Sequence, residues 1–386
     1  MAAVGDVADP STWSGTPFHF WQAARAAGLA TEPWRLRLDG FAWRRRWWNL
    51  GAWLRGRGAG GYQYSADFLD RAEAKIPPAL FSTEVITFNQ HFPRARSVAQ
   101  AGGKLVHYID APFSALASGR GLDLHLPPAI AEEARALERE NYALGEGVAT
   151  MARWAAEEVV RACGVPREKV VAILPGASIV LPPGWDFSAP PGRAGRERDF
   201  VLGFVGRDWR RKGLGLVLDV RDELARRGWK TAVHAAGEAP PELKNRAGMN
   251  FSGFLDKRAD PDAFLKFLAG CDLGCLFSSR EALGISTLEF LRAGVPVAGF
   301  AHEGPADTIP PDAGFRFDPT ATFVEIADVM EGYLSNENRQ ALFRRSAQGW
   351  SPLVTWERCV REFAEWRATG AVRRPVELWK PPADGA

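Results

Sequence analysis

Cysteine is scarce in this sequence, with four residues in 386: Cys163, Cys271, Cys275 and Cys359. None forms a Cys-x-x-Cys pair, so they read as buried thiols in a reducing cytoplasm rather than as a disulfide framework. The six histidines (His19, His91, His107, His125, His234, His302) show no metal-ligand spacing, and no metal site is expected. No run approaches the roughly 18 consecutive apolar residues of a membrane-spanning helix. Met1–Pro10 lacks a basic start followed by an apolar stretch, so no secretory signal is expected. No Gly-x-Gly-x-x-Gly opens either half and no Gly-x4-Gly-Lys-Ser/Thr occurs, which argues against a NAD-dependent oxidoreductase and a phosphate-loop NTPase. A net charge of only +2 argues against a nucleic-acid partner.

What is present is a soluble globular composition, 46% hydrophobic and 24% charged. The length exceeds one ordinary core, so two domains are expected. The clearest break is Leu181–Arg198, whose four prolines and three glycines cannot hold a regular element. The expected division is residues 1–185, a linker at 186–198, residues 199–350, and a last helix with its tail at 351–386, the helix free to pack back on the first domain. After the linker, short apolar runs alternate with amphipathic stretches. Strands are expected at Phe200–Val205, Thr231–Ala235, Met249–Phe254, Leu273–Phe277 and Val297–Phe300. Helices are expected at Leu214–Arg227, Asp262–Leu268 and Ser286–Arg292. Strands are also expected at Thr83–Phe88, Lys104–Ile109, Gly147–Met151 and Lys169–Leu174. Helices should span Phe18–Ala27, Pro128–Tyr142, Ala155–Cys163 and Ser351–Thr369. This alternation predicts an α/β protein with parallel sheets.

Two segments carry chemistry. Gly206-Arg207-Asp208-Trp209-Arg210-Arg211-Lys212-Gly213 follows the first strand after the linker, where an open α/β sheet places its ligands. Four cations followed by a helix N-terminus suit a diphosphate, and also suit a solvated basic loop. The second segment is Ser278-Ser279-Arg280-Glu281-Ala282-Leu283-Gly284-Ile285-Ser286-Thr287-Leu288-Glu289. Gly284 allows backbone amides to approach a ligand closely. Glu281 lies in the loop, within reach of a substrate hydroxyl. Glu289 has a competing explanation, because Ser286-x-x-Glu289 also reads as a capping box.

These residues resemble the retaining GT-B glycosyltransferases, especially family 4, through the Glu281-x7-Glu289 pattern and the run continuing to Gly294-Val295-Pro296. Gly206-Arg207 with Lys212-Gly213 is similar to the family's second signature. Trp13-Ser14-Gly15-Thr16-Pro17 and Leu174-Pro175-Gly176-Ala177 extend the likeness. The resemblance implies two Rossmann-like domains facing across a cleft. It implies a UDP- or GDP-sugar donor, no required cofactor, and retention of anomeric configuration. By the same resemblance Arg207 and Lys212 neutralise the donor diphosphate, and the backbone at Gly284, Ile285 and Ser286 touches phosphate or sugar. Glu281 then holds sugar hydroxyls, Glu289 accepts from the ribose, and Phe254 and Leu255 line the base. Glu281, Arg207 and Lys212 are the catalytic candidates. Ala282-Leu283 stand where the family often has Phe-Gly, which leaves the sugar open.

For the acceptor, a glycan or lipid-linked molecule of bacterial cell-surface polysaccharide synthesis, the candidates are Gly15, Thr16, His107 and Asp110. Trp34–Arg57 holds five tryptophans and seven arginines against one aspartate. That composition suits peripheral contact with an anionic membrane, at the inner face of the plasma membrane. It equally suits core tryptophans among solvated arginines, or a glycan platform. Two further classes stay open: a GT-B epimerase or phosphorylase, and a non-catalytic nucleotide-sugar-binding partner protein.

Overall fold

Among the described residues, ten short strands, all in parallel ladders, organise the chain. The computed structural model describes residues 1–29, 32–56, 60–122, 124, 126–187, 200–257 and 259–378. The chain divides into two compact units. The first comprises the described residues of 1–174 and 356–375, and the second those of 175–355 and 376–386.

The first unit holds β1 (Glu84–Thr87), β2 (Lys104–Ile109), β3 (Gly147–Thr150) and β4 (Val170–Ala172), paired in chain order. Ala2 bridges to Thr87 in parallel, which extends the ladder beyond β1. The inner strands are buried along nearly their whole length, the pattern of a parallel sheet covered on both faces. Trp34 anchors the cluster at the β1 side: it is 1% exposed and packs on Phe81 and Phe92 at ring-centroid distances of 5.0 and 6.0 Å. The helix Trp356–Thr369 belongs to this unit, where Phe363 packs on Phe20 and Tyr108 and the Arg358 guanidinium donates to the Leu174 carbonyl.

The second unit holds β5 (Phe200–Gly206), β6 (Thr231–Gly237), β7 (Met249–Phe251), β8 (Leu273–Leu276), β9 (Val297–Phe300) and β10 (Gly314–Phe317). Their spatial order is β10-β9-β8-β5-β6-β7. Counted within the unit this is 6-5-4-1-2-3, the doubly wound order, which reverses between β5 and β8. Leu202, Gly203 and Phe204 of β5 pair with Leu273, Gly274 and Cys275 of β8. Loops leaving those adjacent strands therefore emerge side by side at the carboxyl edge. Leu214–Arg226 buries Leu214, Val217, Leu218 and Leu224 and packs against the helix Phe323–Leu334.

The expected strands are found, several of them shorter at their ends, and β10 was not anticipated. Its alternation, buried Phe315 and Phe317 around exposed Arg316, lasts only four residues, too few for periodicity to register. The expected helix at Ser351–Thr369 is instead a 3-10 turn at Ser351–Leu353 followed by Trp356–Thr369. Pro352 in the turn removes a donor, so the helix begins afresh at Trp356. Helices Phe41–Leu54, Phe323–Leu334 and Glu337–Trp350 also went unpredicted. Of the expected linker, residues 188–198 lie outside the described residues; the Phe187 carbonyl accepts from the Gln348 amide.

The Trp34–Arg57 segment divides sharply, since Trp34 is core and Trp47 is 57% exposed. In urea unfolding, Trp34→Ala is expected to cost about 3–5 kcal/mol, whereas Trp47→Ser should shift stability by less than about 0.5 kcal/mol. Equal losses in the two variants would contradict the burial of Trp34.

Candidate functional site

The two sequence segments meet at the reversal point of the second sheet. The loop after β5 brings Arg207–Gly213, and the loop after β8 brings Ser278–Gly284. Lys212 Nζ lies 3.0 Å from Glu281 Oε2, and Arg211 reaches the same oxygen at 3.1 Å. Ser278 Oγ donates to it at 3.2 Å. Arg211 also donates to the Arg280 carbonyl, and the Ser279 amide donates to the Arg211 carbonyl, so the loops are stitched backbone to backbone. These bonds converge on Oε2; Glu281 Oε1 takes part in none of them.

Two glycines make this approach possible. Gly213 has φ +80°, and a Cβ there would lie 2.4 Å from the Phe277 carbonyl oxygen. Gly284 has φ +85°, and its Cβ would lie 2.9 Å from Leu276 Cδ2. Each glycine is the N-cap of the helix that follows, Leu214–Arg226 and Ile285–Arg292, and neither helix start has a side-chain cap. The Leu214 amide donates to the Trp209 carbonyl at 3.0 Å, so it is the first amides of the second helix, at Ile285 and Ser286, that are open to a ligand. Ser286 sits in the first turn of the second helix, 3% exposed, and its Oγ has no hydrogen-bond partner. A buried hydroxyl without a partner at a helix N-terminus is a place for an anion's oxygen.

The capping-box explanation of Glu289 does not survive. Gly284 is the N-cap, so Ser286 and Glu289 both lie inside the helix. Glu289 is 1% exposed and forms an ion pair with Lys257, whose ammonium also sits 4.5 Å from the Phe264 ring centroid. A capping box does form elsewhere, at Thr322 and Glu325. Arg207 is exposed and stacks its guanidinium on the Phe254 ring at 4.4 Å; Phe254 is itself exposed, with half-buried Leu255 beside it. Ile285 is half-buried at the first helical position.

Three contributors escaped the sequence reading. Arg211 was hidden inside a run of cations, and turn geometry alone selects it over Arg210, which lies on Trp209 instead. Lys257 stands in the loop after β7, in no recognisable motif. Glu303 follows β9; its Oε2 accepts from the Glu281 amide at 2.8 Å, while His302 Nε2 lies 2.7 Å from the Ser278 carbonyl. Glu303 holds φ +49°, a strained value for a residue with a side chain, of the kind that persists where surrounding structure enforces it. The rule that ligands gather at strand carboxyl ends, applied to β9, would have singled it out.

In the first unit, Gly15 is buried and Thr16 half-buried at the start of the helix Thr16–Ala26. Trp13, Ser14 and Gly15 are three consecutive left-handed residues, with φ of 49°, 56° and 85°. Asp110 is half-buried at the carboxyl end of β2, accepting from the Ala111 amide. His107 is a correction. It is wholly enclosed in β2 with its ring edge-on to Tyr142 at 4.9 Å, and neither ring nitrogen has a partner. Burial lowers its pKa to about 3, so it stays neutral and offers an acceptor no surface. The reason is its place on an inner strand buried on both faces.

Among the described residues, no group of three or more His, Cys, Asp or Glu could hold a metal ion, and no helix is long and apolar enough to cross a membrane.

Residues 191–350 match the family model described as Glycosyl transferases group 1. The chain is 31% identical over 176 residues to a glycogen synthase of Alkalilimnicola ehrlichii, a match covering 43% of this chain and 36% of that protein. It is 34% identical over 166 residues to the 2-deoxystreptamine N-acetyl-D-glucosaminyltransferase of Streptomyces fradiae, covering 42% of this chain and 33% of that one. The matched stretch thus spans about a third of each relative's own length. Among solved structures, Anabaena HepE in complex with UDP and glucose matches with TM-score 0.59 at 16% identity, covering 80% of this chain and 83% of that one. WaaG, a glycosyltransferase involved in lipopolysaccharide biosynthesis, matches with TM-score 0.54 at 19% identity, covering 75% and 78%. These structures show the fold, which is GT-B.

Burial pushes the Glu281 carboxyl up, but Lys212 and Arg211 beside it outweigh that and hold it below its ordinary value of 4.5. A depressed folded-state pKa gives stability that is complete above the ordinary value and is lost as pH falls through the folded one. The stability difference between the native chain and Glu281→Gln should therefore be largest near neutral pH and shrink on acidification below pH 4.5. Denaturant unfolding at several pH values measures it, and a difference independent of pH would contradict an ionised Glu281 in the ion pair.

Proposed function

We propose that this protein is a glycosyltransferase that moves a sugar from a nucleotide-diphosphate sugar to a glycan or lipid-linked acceptor, with retention of configuration, in the manner of family 4. The observation that carries the reading is the meeting of Lys212, Arg211 and Glu281 at the reversal point of the second sheet, inside the region similar to group 1 glycosyltransferases and beside two glycine-started helix N-termini. Breaking the bond between the sugar's anomeric carbon and the phosphate leaves negative charge on the diphosphate. Fixed cations and oriented amides stabilise such charge without reorganising as it develops. In this reading Lys212, Arg211 and Arg207 serve the leaving group together with Ser286 Oγ and the Gly284–Ile285 backbone. Glu281, kept ionised, can only accept hydrogen bonds, which suits sugar hydroxyls. In the same reading Glu289 takes the ribose and Phe254 with Leu255 the base, while Gly15, Thr16 and Asp110 serve the acceptor. HepE is described with UDP, which favours a uracil nucleotide as the first donor to test. Work on an acceptor of the bacterial envelope, inside the cell, fits the likeness to WaaG.

Two measurements test this. A nucleotide at 100 times its dissociation constant raises stability by about 2.7 kcal/mol, so UDP or GDP should visibly raise the melting temperature, and Arg207→Ala should reduce the shift. No shift with either nucleotide would count against a donor site here. In a transfer assay, Lys212→Ala should lower kcat about 100- to 1,000-fold, the scale for removing one charge-stabilising donor, with folding retained. Near-native turnover would remove Lys212 from the machinery.

A further inference from the structure

The helix Phe41–Leu54 turns one face inward, with Phe41 and Ala52 buried and Trp48 packed on Tyr62. The opposite face is apolar and bare. Trp43, Trp47, Leu50 and Leu54 are 62%, 57%, 45% and 69% exposed. Their spacing of four, three and four residues lines them along one stripe, with Trp53, 66% exposed, beside it. Water is a poor solvent for such a row of indoles, and a contiguous apolar stripe on a surface marks an interaction site.

Charge identifies the occupant. Arg44, Arg45 and Arg46 are exposed, and none forms an ion pair among the described residues. The helix itself holds no acidic residue. On the neighbouring helix Ala66–Glu73 the carboxylates have cations of their own: Asp67 pairs with Arg71, and Asp70 and Glu73 pair with Arg94. Asp39, just before the helix, pairs with Arg37. The face therefore presents unbalanced positive charge around an aromatic stripe. A glycan would need convergent polar groups in a concave site, whereas here the surface is a single convex helix, and its one amide side chain, Asn49, accepts from the Gly60 backbone. We propose that this helix docks in the surface of an anionic phospholipid membrane, its indoles and leucines entering the headgroup–acyl boundary and its arginines resting on lipid phosphates. Apolar residues on one side with Arg44 and Arg46 at either flank form the pattern of a helix lying in the interface plane. Indoles settle at that depth, and each cation near an anionic surface adds to the attraction.

The test uses the full chain and vesicles of phosphatidylcholine with and without phosphatidylglycerol, in a sedimentation assay. The protein should pellet with the anionic vesicles at low ionic strength and be released as salt screens the charge. Replacing Arg44, Arg45 and Arg46 together by Gln should weaken binding by roughly two orders of magnitude. Trp43→Ser combined with Trp47→Ser should weaken it as well, and both variants should melt as the native chain does, since all five side chains are exposed. Failure to pellet at low salt, or native binding by both variants, overturns the proposal. So does a self-association that the tryptophan variant abolishes in the absence of any vesicle binding. Nucleotide binding is read separately by thermal shift, so either proposal can fail alone.

Discussion

A single carboxylate oxygen, Glu281 Oε2, receives a lysine, an arginine and a serine contributed by the loops after β5 and β8. Two cations and a carboxylate drawn together at the edge of a sheet are costly unless each is partnered. The doubly wound order makes the arrangement possible, because β5 and β8 pair directly, Leu202 against Leu273, although Lys212 and Glu281 in the loops that follow them are 69 positions apart in sequence. Helices leaving those strands depart to either side, and their N-termini and polar side chains are left pointing into the crevice between. The glycines at 213 and 284 follow from the same constraint. Residues with a Cβ would strike the Phe277 carbonyl or Leu276 and push the loops apart.

The outer parts of the site depend on this junction. Glu303 is held in a left-handed conformation while it accepts from the Glu281 amide, and the Gly304 amide donates to the Glu281 carbonyl, so the β9 loop is registered against the β8 loop. Thr287 and Thr308 share a buried hydroxyl pair that ties the helix start to the next loop. Strain at Glu303 and an unpartnered hydroxyl at Ser286 both lie within this framework. Such departures from local preference are characteristic of places shaped for a ligand rather than for stability.

The first unit follows the opposite logic. Its sheet runs in chain order without a reversal, and its buried carboxylate is satisfied internally: Glu138 accepts from the Phe113 and Ser114 amides and from Tyr142. His107 belongs to that interior. The left-handed run Trp13–Gly15 and the outward face of Phe41–Leu54 depart from it, one by backbone geometry and the other by exposed aromatic surface.

Much of this was legible in one dimension. Strand and helix alternate with local periodicity, so nine of the ten strands among the described residues could be placed from the sequence. Glu281, Lys212, Gly284 and Arg207 announce themselves by standing at strand ends in charged, glycine-bearing loops. The sequence by itself determined which segments become strands and which loops carry charge, because those are matters of local pattern and composition. Only the tertiary structure decided that Arg211 rather than Arg210 joins Glu281, that Lys257 pairs with Glu289, that His107 is enclosed, and that Trp34 is core while Trp43 and Trp47 face outward. Those outcomes turn on side-chain direction within a turn or helix and on which distant strand lies alongside, and neither is written in the spacing of residues along a chain.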